Sequence, residues 1–171
     1  MSKHSIQCRL ALLYLLQKSE IPLSEPQLAR IMSDTSLMNF FDLKSALHEL
    51  CDGGQTDPVP TLDGDVYTLT ERGDEMITSL RTDLLHSTRA SLDAYLEANG
   101  EALVREATYP ASYTRSGERA YRAQGRVMSD GLPIFEVTML VGSREEANTF
   151  VRSWQEKGPD IYQRVLLELT V

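Results

Sequence analysis

Apolar residues in the first hundred positions recur mostly three and four apart, the spacing of helices with one buried face. This spacing predicts a first helix over 5–18, a second that begins at Ser24, and a third within 36–52. Ser24 and Gln27 stand at the two positions of a capping box, a strong start signal for the second helix. The chain is therefore expected to open with three short helices.

The third helix has apolar residues at the spacing of a buried stripe. These are Phe40, Leu43, Leu47 and Leu50. A β-hairpin is predicted next, over 59–69, because two alternating runs flank Asp63, Gly64 and Asp65, and glycine supplies the positive φ of short turns. Thr70 then caps a further helix, whose apolar residues continue to about Ala98 and predict one long helix over 71–98.

The remaining residues alternate between apolar and polar, which predicts three strands. A second capping box at Ser143 and Glu146 begins a helix that Gly158 and Pro159 are expected to stop, and a last strand is predicted over 161–169. The predicted fold class is α+β. It comprises an N-terminal winged helix-turn-helix over 1–70, a long connecting or dimerisation helix over 71–98, and an antiparallel sheet covered by one helix over 99–171.

Composition narrows the function classes. The 171 residues contain 25 acids and 17 bases, a net charge of -8, which excludes a generally basic nucleic-acid coat. No apolar run reaches the roughly 20 residues that span a bilayer, and no signal peptide or membrane partner is predicted. Two cysteines cannot form a disulfide framework, so a reducing cytoplasm is expected.

Residues 67–73 (YTLTERG) resemble the wing-to-helix junction of MarR- and PadR-like bacterial repressors. Further segments resemble, in the same order, the bacterial domain-of-unknown-function 4364 family. These are LLYLL at 12–16, IPL at 21–23, LHEL at 47–50, ASY at 111–113, EEA at 145–147 and IY at 161–162. The resemblance implies a winged helix with an appended α+β part and a role in transcription, and it supplies no ligand or catalytic residues.

A DNA-reading third helix would present the polar residues beside its buried stripe. With one base from the second helix, the candidates are Arg30, Ser36, Asn39, Lys44, Ser45 and His48. The acids of the hairpin, Asp63 and Asp65, oppose this interpretation because they repel phosphates. The leading hypothesis is a DNA-binding transcriptional regulator with a C-terminal sensing or dimerisation domain. The alternative is a winged-helix protein-interaction module that does not bind DNA.

The apolar stripe of the predicted long helix favours a homodimer, and packing of the stripe within the chain is the alternative. A homodimer would also bring together four bases from each of its two chains, Lys3, Arg9, Arg30 and Lys44. Arg115, Arg119, Arg122 and Arg126 are interpreted as a solvated sheet face with cross-strand partners such as Glu136, and a surface that binds anions or nucleic acid is the alternative. His4, His48 and His86 lack companions at metal-ligand spacing, so neither a metal nor a cofactor is predicted. Cys8 and Cys51 are expected to be small buried hydrophobes, and no catalytic motif predicts an enzyme.

Overall fold

The structure, a computed structural model, describes residues 2–61 and 63–171 as a mixed α+β fold of six helices and two three-stranded antiparallel sheets. The chain divides into two compact units, Met1–Glu101 and Ala102–Val171. The elements are, in chain order, α1 (Lys3–Ser19), β1 (Leu23–Ser24), α2 (Glu25–Asp34), α3 (Phe40–Asp52), β2 (Thr56–Thr61), β3 (Gly64–Leu69), α4 (Glu71–Leu80), α5 (His86–Thr108), β4 (Ala111–Gly117), β5 (Ala120–Ser129), β6 (Leu132–Val141) and α6 (Arg144–Thr170).

The first unit is built around α1. Every residue from Leu10 to Leu16 is buried, so this helix is covered on all sides rather than along one stripe. It contacts α3, α4 and β3. Burying a leucine side chain stabilises a fold by about 1.5–3 kcal/mol, so these contacts dominate the stability of the unit.

The predicted start of α2 is confirmed. The hydroxyl oxygen of Ser24 accepts from the Gln27 amide at 3.3 Å, and the Gln27 side chain accepts from the Ser24 amide at 3.0 Å. The hairpin is also confirmed, with Thr61 opposite Gly64 at its end and Gly64 at φ 114°. β3 lies between β2 and the short β1, and Leu62 lies outside the described residues.

The single helix predicted over 71–98 is wrong, because residues 81–85 separate α4 from α5. The break is stabilised from α1. The Gln7 side chain donates to the Asp83 carbonyl at 2.7 Å and accepts from the Leu85 amide at 3.1 Å. Backbone groups exposed by the break thus have partners, supplied by a residue more than seventy positions away, which local spacing does not reveal.

In the second unit, α6 packs on the sheet of order β4-β5-β6. Trp154 is the centre of this packing: it is buried, stacks on Phe150 and Phe135, and donates from Nε1 to the Arg126 carbonyl at 3.0 Å. Its ring covers Gly125, where a Cβ atom would overlap the indole. The absence of a side chain at this position is therefore a packing requirement.

The prediction that Gly158 and Pro159 end this helix is wrong, as is the strand predicted over 161–169. α6 continues through the proline, which removes one hydrogen bond and costs about 3 kcal/mol relative to alanine. Packing offsets this cost: Gly158 lies against Trp154, and Tyr162 contacts the Phe135 ring at 5.5 Å. At the start of α6, the Ser143 hydroxyl accepts as predicted from the Glu146 amide, whereas the Glu146 carboxylate accepts from Gly142.

We expect Gly125→Ala to lower the free energy of unfolding by about 1–3 kcal/mol, because the added methyl group must displace the Trp154 ring. Urea denaturation monitored by the fluorescence of this single tryptophan measures the change. Gly117→Ala in β4 is the matched control, since a Cβ there meets its nearest atom at an ordinary 3.7 Å. Equal stability of the two variants would contradict the packing argument.

Tyr14 links α1 to α5 by donating from its hydroxyl to Asp93 Oδ1 at 2.7 Å. Burial, this hydrogen bond and the charge of Asp93 raise the pKa of Tyr14 to about 12, against the opposing effect of Arg81 and Arg89. The native state therefore retains a proton that the unfolded chain, with a tyrosine pKa of 10.0, loses first.

The stability that this proton confers is complete below pH 10 and is lost as the pH rises to 12. Its slope reaches about 1.4 kcal/mol per pH unit. Between pH 10 and 12, we expect the free energy of unfolding to fall less steeply with pH in Tyr14→Phe than in the wild type. Asp93→Asn should lower the pKa of Tyr14 and so narrow the pH range over which this stability is lost. Denaturation curves at stepwise pH measure both, and parallel curves for wild type and Tyr14→Phe would refute the assignment.

Candidate functional site

The outward face of α3 is set by the residues that it buries. Leu43, Leu47 and Leu50 are inserted into the first unit, as predicted. Phe40, which the prediction placed on the same stripe, is instead 53% exposed, and Phe41 is 82% exposed. We define the α3 surface as the exposed side chains of this helix at Phe40, Phe41, Lys44, Ser45 and His48.

The structure brings three of the six predicted DNA contacts together on the α3 surface, namely Lys44, Ser45 and His48. Asn39 is exposed directly before α3, but its side chain accepts from the Asp42 amide at 2.9 Å and so caps the helix. Ser36 lies in the preceding turn at φ 55°, and Arg30 is exposed on α2. The prediction that these residues contact DNA remains a prediction.

Each predicted contact on the α3 surface is paired with an acid. Lys44 Nζ lies 2.8 Å from Glu25 Oε2, and this hydrogen bond and the Glu25 charge raise the pKa of Lys44. His48 Nε2 lies 3.3 Å from Asp52 Oδ2. The Ser45 hydroxyl donates to Glu49 Oε1 at 3.5 Å. Acids therefore balance or outnumber bases across this face.

The hairpin adds further negative charge beside α3, which contacts β2. Asp57, Asp63 and Asp65 are exposed on it. Burial raises the pKa of Tyr67 on β3, and the charge of Glu25 raises it further, so this ring lies within the electrostatic reach of the Lys44–Glu25 pair. The two exposed phenylalanines thus belong to a helix whose three acids outnumber its single lysine and which contacts a strand of an acidic hairpin.

Three donor atoms meet between α1 and α3, and the sequence analysis missed them. His4 Nε2 lies 3.0 Å from Asp42 Oδ2 and 3.6 Å from Cys8 Sγ. Burial, and then the Asp42 charge, raise the pKa of the Cys8 thiol. The expectation that His4 lacks companions is wrong. Its four-residue spacing to Cys8 on one helix was the available signal.

In the second unit, the predicted cross-strand partner of one arginine is confirmed. Arg126 Nε lies 2.7 Å from Glu136 Oε2, directly opposite in the β5–β6 register. This arginine is buried rather than part of a solvated face. Arg115 donates from Nε to the Gly117 carbonyl, so it stabilises the bend after β4. Tyr113 and Tyr121 pack edge to face and are half-buried.

Comparison with known proteins identifies the family. Across the described residues, no helix combines the length and apolar character needed to cross a membrane. No curated protein and no solved structure matches the chain significantly. The profile of the family described as "domain of unknown function (DUF4364)" matches residues 8–169, which span both units. The chain belongs to the DUF4364 family.

Proposed function

We propose that the first unit is a winged-helix module whose α3 surface binds a basic partner protein. The order of α1, β1, α2, α3, β2 and β3 supports the winged-helix assignment, with α2 and α3 as the helix-turn-helix and the β2–β3 hairpin as the wing. In this proposal the module is not an enzyme.

The observation that carries the proposal is the exposure of Phe40 and Phe41 on a helix in which acids outnumber lysine and arginine. Aromatic side chains are enriched at the cores of protein interfaces, where they fill pockets of the partner and exclude water. Carboxylates around such a core favour a partner with lysine or arginine at the rim of its pocket. Both properties are present on the α3 surface.

A DNA-binding transcriptional regulator is the second candidate. The outward position of Lys44, Ser45 and His48 favours it, because this face of a helix can enter a major groove. Charge disfavours it. Lys44 is the single lysine or arginine of α3, against Asp42, Glu49 and Asp52. Phosphate neutralisation by lysine and arginine supplies most of the affinity of non-specific DNA binding.

We expect the double variant Asp57→Lys/Asp65→Lys to separate the candidates, because it shifts their affinities in opposite directions. Lysines on the hairpin repel a basic partner protein and weaken its binding, whereas they attract DNA phosphates and strengthen binding of double-stranded DNA. Phe41→Ala should weaken binding of the partner protein by about 30-fold or more, as loss of an aromatic hot spot does.

The partner is identified with a photoreactive phenylalanine at position 41 in nuclease-treated lysate, and the same group at the exposed position 132 is the control. Titration calorimetry with the purified partner and a salt-dependent gel shift with genomic fragments then measure both affinities. An affinity for the partner that neither variant changes would refute the interaction module. A fragment bound by the wild type at least roughly a hundredfold more tightly than random DNA would establish the regulator.

Self-association is part of the same proposal, with the second unit as its site. Of the apolar residues within 71–98, where a dimerising stripe was expected, Ile77, Leu84 and Leu92 are buried in the chain and Leu85 is exposed. In contrast, Leu166 and Leu169, three residues apart and so on one face near the end of α6, are 43% and 79% exposed. Apolar side chains exposed together on one helix are typical of a surface that a second copy covers.

We expect multi-angle light scattering to give twice the chain mass for the wild type. Leu166→Glu/Leu169→Glu should give a monomer, because a dimer of this variant would have to bury two added charges from each chain. Leu85→Glu, at an exposed leucine of the first unit, is the matched control and should stay dimeric. A monomeric wild type at about 100 μM, or a dimeric double variant, would refute this surface.

A further inference from the structure

The strongest unexplained feature of the first unit is the group formed by His4, Cys8 and Asp42. One nitrogen, one sulfur and one carboxylate oxygen lie within 4.8 Å of one another. His4 and Cys8 come from adjacent turns of α1, and Asp42 comes from the first turn of α3. Three different donor types from two helices therefore converge on one point.

The geometry distinguishes a metal site from a catalytic relay. In a Cys-His-Asp relay the thiol and the carboxylate contact opposite ring nitrogens of the histidine. Here both Cys8 Sγ and Asp42 Oδ2 lie closest to the same atom, His4 Nε2. Donors that meet at one side of a ring can share a cation but cannot pass a proton through the ring.

The nitrogen–sulfur separation fits a tetrahedral ion. Zinc bonds of about 2.0–2.1 Å to nitrogen and about 2.3 Å to sulfur, at tetrahedral angles, place these two atoms about 3.6 Å apart. The distance from His4 Nε2 to Cys8 Sγ is 3.6 Å. The nitrogen–oxygen distance of 3.0 Å is about 0.3–0.5 Å shorter than the corresponding tetrahedral value, a change that the exposed His4 side chain can accommodate.

The surroundings also suit a bound cation. The Asn39 side-chain amide donates to Asp42 Oδ2 at 2.9 Å and so orients the carboxylate, as outer partners of metal ligands do. A thiolate and a carboxylate together neutralise a divalent ion. His4 and Cys8 also line a cleft of about 320 Å³. Three protein ligands beside a cleft leave a fourth position for water or a small anionic ligand.

We propose that His4, Cys8 and Asp42 bind one zinc-type divalent transition-metal ion, with an open fourth position. Nitrogen and sulfur donors select such ions over magnesium and calcium, which prefer oxygen. The ion joins the start of α1 to the start of α3, next to Phe41. The inference that this ion orders the α3 surface rests on the proposed function. The inference that the site binds an ion does not.

The test uses the full chain, stripped with a chelator, kept reduced, and titrated with Co²⁺ and then with Zn²⁺ in competition with a chromophoric chelator. We expect one ion per chain, with the thiolate charge-transfer band and the tetrahedral bands of bound Co²⁺. His4→Gln should weaken Zn²⁺ binding by at least about 100-fold, because loss of a direct ligand should cost at least as much affinity as loss of an outer hydrogen-bond partner. Cys8→Ser should abolish the thiolate band.

Two controls keep the result interpretable. His48→Gln removes the other described His–Asp pair of the first unit, and Cys51→Ser removes the other thiol; both should bind Zn²⁺ as the wild type does. Cys8 is buried and its variant can lose stability, whereas His4 is exposed, so His4→Gln decides the question if Cys8→Ser unfolds. Sub-stoichiometric binding by the wild type, or wild-type affinity in folded His4→Gln, would overturn the site, whatever partner the α3 surface binds.

Discussion

The burial of α1 is the constraint on which the first unit depends. A segment with seven consecutive apolar residues, Leu10 to Leu16, must be covered on every side. α3 covers one of these sides and buries Leu43, Leu47 and Leu50 in doing so. Because these leucines face the core, Phe41 and Lys44 on the other face of α3 point outward. The composition of the candidate surface therefore follows from the packing of the core.

Magnitudes show that the core, not the surface, orients α3. Three buried leucines contribute about 5–9 kcal/mol at about 1.5–3 kcal/mol each. An exposed ion pair such as Lys44–Glu25 contributes little to stability, because solvent screens the charges and two long side chains must be ordered. The exposed pairs therefore do not hold the helix in place, and a partner can break them at little cost. The two exposed phenylalanines have no comparable role in the core, which makes function the better explanation for them.

Local signals predicted the elements well and their continuity poorly. The capping box at Ser24 and the turn at Gly64 were predictable because a few adjacent residues determine them. The break between α4 and α5 was not, because Gln7 of another helix stabilises it. The same holds for Pro159, whose local preference to end α6 is outweighed by packing around Trp154. Tertiary contacts decided both cases.

The same distinction between local signals and tertiary contacts applies to the predicted site residues. Periodicity placed Lys44, Ser45 and His48 outward, but it also placed Phe40 inward, since an amphipathic pattern does not show where a helix extends beyond its neighbours. The carboxylates that pair with Lys44 and His4 come from other helices, so only the fold reveals them. Candidate sites that depend on charge balance between elements are invisible to a pattern read along one element.

The family match bears differently on the two sites of the first unit. It begins at Cys8 and so includes the whole of α3 and the hairpin, whereas His4 precedes it. The α3 surface is thus made of elements that belong to the family fold, and a function there can be shared by its members. A metal site that needs His4 depends on a residue outside the matched range, so the family match gives that site no support. The two proposals therefore stand or fall separately, although Asp42 and Phe41 are neighbours on one helix.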